Sequence, residues 1–242
     1  LISSQLDMDR MDYLNRDSFY TGVSEGVIGY DRIIKMLTVR EGELMVEEKG
    51  IYSIEKFLIA RRIMYWQVYL HKTALAAEQM LIKALYRARR LAGAGEELPV
   101  SANLHFFLYN EEPPEVLLRD PDLLLRHFAL LDDVDVMAAL KVFQSHSDKL
   151  LAYLSRCIVN RRLFRVELQT EPFSHAYIER IRQAIMSHFE LEREEADYLL
   201  IYGSETNTAY STAKEEIKIL MKDGRILPLS KISEHSVQAK VI

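Results

Sequence analysis

Apolar residues between Leu6 and Tyr20 recur at Leu6, Met11, Leu14 and Ser18 or Phe19 with polar positions between them, which is helical rather than strand spacing. Thr21-Gly22 ends that run, and Tyr30 to Val39 predicts a second helix with Ile33, Ile34 and Leu37 on one face. Glu43 to Glu48 sets Leu44 and Val46 among charges and reads as a short strand or an extended turn. From Ser53, an expected N-cap, to Leu91 there is no Gly or Pro, and the run closes on Arg87, Arg89 and Arg90 before Gly93. That stretch predicts one long helix or two nearly collinear ones.

Further helices are expected over Glu115 to Leu131, Val136 to Gln144 and on to about Asn160, the second opened by Asp132-Asp133-Val134-Asp135. Beyond this the texture changes. Leu163 to Gln169 alternates, Ser174 to Phe189 is helical, and Tyr198 to Tyr202 and Ile217 to Leu229 read as strands, the latter around the hairpin dipeptide Asp223-Gly224. The expected architecture is therefore mainly α, with a helical lobe over residues 1–150 and a small α+β C-terminal lobe over residues 151–242.

Composition narrows the class. About half of the 242 residues are apolar, so the chain can bury a sizeable core. A net charge of -5 argues against a chain-wide grip on nucleic acid and leaves room only for local anion sites. The single cysteine, Cys157, cannot form an internal disulfide and reads as a buried thiol. With no apolar run of membrane-spanning length and no signal-like N-terminus, a cytoplasmic location is expected.

The segment richest in chemistry is Asp7-Met8-Asp9-Arg10-Met11-Asp12-Tyr13-Leu14-Asn15-Arg16-Asp17. A helix sets Asp9, Tyr13 and Asp17 at i, i+4 and i+8 along one stripe. Such carboxylates can hold a cation, accept hydrogen bonds from a sugar, or simply pair with Arg10 and Arg16. By spacing alone, a solvated charged face is the commoner outcome. Tyr65 and Trp66, inside the long helix, read as core aromatics.

The wording of the segment adds more. Gln5 through Asp17, followed by Thr21-Gly22-Val23, resembles the last motif of HD-domain deoxynucleoside triphosphate triphosphohydrolases, a family that includes bacterial enzymes and the mammalian enzyme combining a SAM and an HD domain. The likeness continues at Phe57 to Arg61, Tyr69 to Lys72, Leu131 to Asp135 and Arg161 to Arg165. It implies an HD-like helical fold and a divalent metal, Mg²⁺, Mn²⁺ or Fe²⁺, held by two histidines and two aspartates. The last of these aspartates corresponds to Asp9. None of the seven histidines is followed by Asp, so the other three ligands are missing here; with Leu1 in first place, the chain is expected to be the C-terminal portion of a longer enzyme and inactive alone.

By the same resemblance, Arg10 and Arg61 contact phosphate, with Arg62 as the register alternative to Arg61. Tyr13 crowds the 2′ side of the sugar, Asp17 accepts from the 3′ hydroxyl, and Tyr69 lies on the base or sugar side. Leu70 stands where the mammalian relative has an amide that reads the base. His71, Lys72, Arg161 and Arg165 resemble positions that bind a regulatory nucleotide between subunits, which implies a homo-oligomer. The implied reaction is attack of water on the α-phosphorus of a deoxynucleotide, releasing deoxynucleoside and triphosphate. The alternatives are an HD phosphohydrolase acting on another nucleotide, or a non-catalytic helical scaffold or regulatory module.

Overall fold

The computed structural model describes residues 4–110, 118, 120–204 and 216–232. Among these, the chain is mainly α-helical with one four-stranded sheet. It forms two compact units, one made of residues 1–71 and 204–242 and the other of residues 72–203. A division near residue 150 is not where these units separate, since that position lies inside a helix of the second unit.

In the first unit, α1 (Met8–Thr21) starts at Asp7, whose side chain accepts from the backbone N–H of Arg10, and stops at Gly22 in the left-handed conformation that glycine adopts without strain. Helix α2 covers only Tyr30–Lys35; Leu37 to Val39, expected to continue it, falls in strand β1 (Leu37–Arg40) instead. Strand β2 (Glu43–Glu47) returns antiparallel to β1 through Glu41 and Gly42, both at positive φ, which is the two-residue turn whose twist matches a hairpin. Helix α3 (Ile51–Met64) begins after Gly50, so Ser53 lies within the helix rather than capping it.

The sheet is completed from far along the chain. Strand β3 (Lys218–Leu220) runs parallel to β2, pairing Ile219 with Val46, and β4 (Ile226–Pro228) pairs antiparallel with β3 across the turn at Asp223-Gly224. The sheet, expected within the C-terminal lobe, thus draws two of its strands from residues 37–47. Leu14, Ile33, Val46, Ile54, Phe57, Met64 and Ile219 form the core under it.

The long run expected from Ser53 to Leu91 is interrupted. After Met64 the backbone widens into a π-turn over Tyr65–Tyr69, and helix α4 (Lys72–Gly93) begins a new element in the second unit. Helix α4 buries Ala76, Met80, Ala84, Ala88 and Ala92, a four-residue repeat of mostly small side chains that lets another helix approach closely. The rest of this unit is α5 (Ala102–Tyr109), α6 (Pro121–Leu130), α7 (Asp133–Phe143), α8 (Lys149–Val159), α9 (His175–Phe189) and the short α10 (Arg193–Ala196). Helix α7 opens on the expected capping box of Asp132 and Asp135.

Tyr198 to Tyr202, expected as a strand, forms none, and neither does the alternating stretch Leu163 to Gln169. The expected helical start at Glu115 lies outside the described residues. No helix among the described residues is long and apolar enough to cross a membrane.

Candidate functional site

The first unit brings together the residues singled out at the start of the chain and along α3. Helix α1 carries Asp9, Arg10, Tyr13 and Asp17; α3 and its π-turn carry Arg61, Tyr65 and Tyr69. An α-helix advances 100° per residue, so a spacing of eight leaves two side chains about 80° apart, whereas seven nearly closes two turns. The π-turn absorbs one extra residue. Arg61, Tyr65 and Tyr69 therefore follow one face despite the spacing of eight between first and last.

These faces are joined by direct contacts. The Tyr69 hydroxyl donates to Asp17 Oδ2 at 2.7 Å, and among the described residues Oδ1 accepts no hydrogen bond. The Tyr13 and Tyr69 rings meet edge to face with centroids 5.8 Å apart, and Tyr65 and Tyr69 do so at 5.1 Å. Burial, reinforced by the bond to Asp17, pushes the Tyr69 phenol well above the ordinary tyrosine range. Burial also raises Tyr13, with Tyr65 adding to the rise and Arg61 and Arg10 opposing it. Both phenols stay neutral at physiological pH and can donate.

Two guanidiniums approach this aromatic floor. Arg61 is only 5% exposed, yet among the described residues its one hydrogen bond is a long 3.4 Å contact from Nη1 to Gln5 Oε1, and its Nε has no partner. Its guanidinium lies over the Tyr65 ring, 5.7 Å from the centroid. Arg10 Nη1 sits 3.0 Å from Asp7 Oδ2 as an ion pair but lacks hydrogen-bond alignment, leaving a second buried guanidinium nitrogen without a hydrogen bond. Arg10 Nη1 has the Asp7 charge beside it, whereas leaving Arg61 Nε unsatisfied costs about 1–3 kcal/mol and calls for an explanation.

Sequence spacing left open whether Asp9 and Asp17 merely neutralise Arg10 and Arg16. They do not: Arg10 pairs with Asp7 and Arg16 with Asp12. Asp9 is exposed in the first turn of α1 and has no hydrogen bond or ion pair among the described residues. It fits the part of a single carboxylate ligand. No group of three or more His, Cys, Asp or Glu side chains able to hold a metal occurs among the described residues.

His71 closes the first unit, exposed, while Lys72, Arg161 and Arg165 belong to the second. Arg161 is exposed with φ 54° just past α8, and Arg165 pairs with Glu167 at 3.3 Å. Arg62, the register alternative to Arg61, is exposed. Trp66, expected in the core, is 59% exposed. Two members of the cluster were missed as site residues: Gln5, within the quoted motif, and Tyr65, assigned to the core. For Tyr65 the signal was there, at four residues from both Arg61 and Tyr69.

Residues 28–97 match the family model described as the HD associated region. The chain is similar to HD-type phosphohydrolases. A phosphohydrolase of Bacteroides thetaiotaomicron VPI-5482, known from a crystal structure, is 49% identical with a TM-score of 0.87, covering 97% of this chain and 58% of its own. The protein YwfO of Bacillus subtilis (strain 168) is 33% identical over 241 residues, covering 96% of this chain and 52% of that protein. A deoxynucleoside triphosphate triphosphohydrolase homologue of Dictyostelium discoideum is 24% identical over 142 residues, covering 59% of this chain and 25% of that protein. The chain spans about half the length, or less, of the curated relatives it matches. The matched HD associated region includes Arg61, Tyr65 and Tyr69 and leaves α1, with Asp9, outside it.

Proposed function

We propose that this chain is the substrate-binding part of a metal-dependent HD-type phosphohydrolase that hydrolyses deoxynucleoside triphosphates to deoxynucleoside and triphosphate. The observation that carries the proposal is the buried Arg61 Nε, which has no hydrogen-bond partner among the described residues, in the cluster that also holds Tyr65, Tyr69, Tyr13 and Asp17. Desolvated donors in excess fit a polyanion, because guanidinium binds phosphate oxygens through charge-assisted, often bidentate bonds. An open carboxylate oxygen held by a neutral phenol fits a hydroxyl donor such as the sugar's 3′ group.

In this reading Arg10 and Arg61 hold the phosphates, Tyr13 packs on the deoxyribose, and Asp17, steadied by Tyr69, orients the sugar. Asp9 contributes one ligand to a divalent cation, which when bound supplies an activated water. The similarity to proteins named as a phosphohydrolase and as a deoxynucleoside triphosphate triphosphohydrolase homologue supports the same reading.

The test is release of triphosphate from each of the four deoxynucleoside triphosphates with Mn²⁺, using the natural-length protein and its Asp9→Ala and Arg61→Ala variants. Wild-type release that falls at least about 100-fold in Asp9→Ala is expected, in line with loss of a group central to the reacting centre. A folded, metal-loaded wild-type protein that releases no triphosphate but cleaves another nucleotide moves the substrate assignment. Silence on all nucleotides favours the scaffold alternative.

A further inference from the structure

Tyr65 touches both halves of the cluster. Its ring lies under the Arg61 guanidinium at 5.7 Å and meets the Tyr69 ring at 5.1 Å, and Tyr69 in turn meets Tyr13 edge to face at 5.8 Å. Arg61 has little else to hold it, with one long bond to Gln5 and an unpartnered Nε. A long side chain whose donors are kept free for a ligand must be fixed by something other than hydrogen bonds. A ring face does this, attracting the cation without consuming an N–H.

We propose that Tyr65 is a positioning residue for triphosphate recognition: its ring face holds Arg61 in place with its donors unspent. The inference rests on the proposed function, since it takes Arg61 as the phosphate contact. The π-turn belongs to the device, because it returns Tyr69 to the face shared by Arg61 and Tyr65. Tyr65 touches neither phosphate nor sugar in this assignment and acts through Arg61.

Calorimetric titration of the natural-length protein with inorganic triphosphate and, separately, with deoxyguanosine tests it. The variants are Tyr65→Leu, Tyr65→Phe and, as a neighbouring control on the same π-turn, Trp66→Leu. Tyr65→Leu should weaken triphosphate about 5- to 30-fold, the range for a desolvated cation–π contact. Deoxyguanosine should weaken no more than about threefold on the same scale. Tyr65→Phe keeps the ring face and should stay within about threefold for triphosphate, as should Trp66→Leu. Equal losses for both ligands in Tyr65→Leu would mean a general packing role and overturn the inference, as would no loss at all. If the wild type binds neither ligand, the proposed function fails and this inference falls with it. If it binds triphosphate and Tyr65→Leu binds as tightly, only the inference fails.

Discussion

The two units treat buried arginines in opposite ways. In the second unit, Arg87 donates to both oxygens of Asp148 at 2.5–3.2 Å and lies 3.7 Å from Glu195, with its side chain 12% exposed. Arg182, 6% exposed, is met by Glu179 at 2.7 Å and Asp197 at 3.0 Å. Arg61 of the first unit is as buried but, among the described residues, has no carboxylate partner and only a marginal bond to an amide. Burial alone therefore does not say what an arginine does; the arginines differ in whether the protein has already supplied the anion, and under the proposed function Arg61 is the one left for a ligand's.

The sharpest way to break this contrast is to remove an anion from the second unit. Asp148 accepts from Arg87 and also caps α8 by accepting from the backbone N–H of Leu151 at 2.8 Å. Asp148→Ala strips the helix cap and strands a largely buried guanidinium, so destabilisation of about 3–5 kcal/mol is expected. Urea unfolding followed by far-UV circular dichroism checks it. A loss below about 1 kcal/mol would show that Arg87 is as unspent as Arg61.

The corresponding change in the first unit should go the other way. Arg61→Met keeps the volume and discards the unpartnered donor. The cation–π contact it forfeits is worth about 0.5–2 kcal/mol, and the unsatisfied group it removes costs about 1–3. Unfolding free energy should therefore change by less than about 1 kcal/mol, or rise. Affinity for inorganic triphosphate should drop about 10- to 100-fold, as expected on losing charged hydrogen bonds. Destabilisation of about 3 kcal/mol or more would make Arg61 a structural residue after all.

How far the sequence reaches differs between the same regions. Helix α1 was legible because its signals are local: an Asp N-cap, a Gly after the last turn and a repeat of buried Met11, Leu14 and Ser18. The site residues on it came from wording, since an i, i+4, i+8 stripe is shared by many solvated faces. That Arg61 reaches the same cluster as Tyr69 was not legible from spacing, because the π-turn that corrects the spacing has no periodicity signal of its own. Leu37 to Val39 left the helical pattern because β2 and, far along the chain, β3 build a sheet for it to join, and the β2–β3 pairing of Val46 with Ile219 is invisible in a local window. Leu163 to Gln169 alternates equally well and finds no strand partner. Helix α5 was overlooked although Ser101 caps it, because its all-round apolar run Phe106-Phe107-Leu108 carries no helical stripe.

A smaller effect sharpens the comparison through pH. Glu179, at the centre of the second unit's other arginine network, is held down to about 2 by hydrogen bonds from Arg193, with Gln183 and Arg182 adding to them. Its folded value lies below the ordinary glutamate value of about 4.3, so the folded state binds the proton less readily than the unfolded state. The contribution is then fully present above about pH 4.3 and is lost as pH falls toward the folded value near 2. Asp148 adds to this acid sensitivity: although burial opposes it, the bonds from Arg87 and from the Leu151 N–H hold its carboxyl below the usual aspartate range. Amide exchange within α9, which contains Glu179 and Arg182, reports this unit rather than the first. Protection of α9 should be level from pH 7 to about 5 after correction for intrinsic exchange and then decline. In Glu179→Gln it should start lower and decline less, the two proteins converging near pH 2. A gap that stays constant down to pH 2 would mean that Glu179 acts through packing, and the saturated arginines of this unit would then owe less to their anions than the geometry indicates.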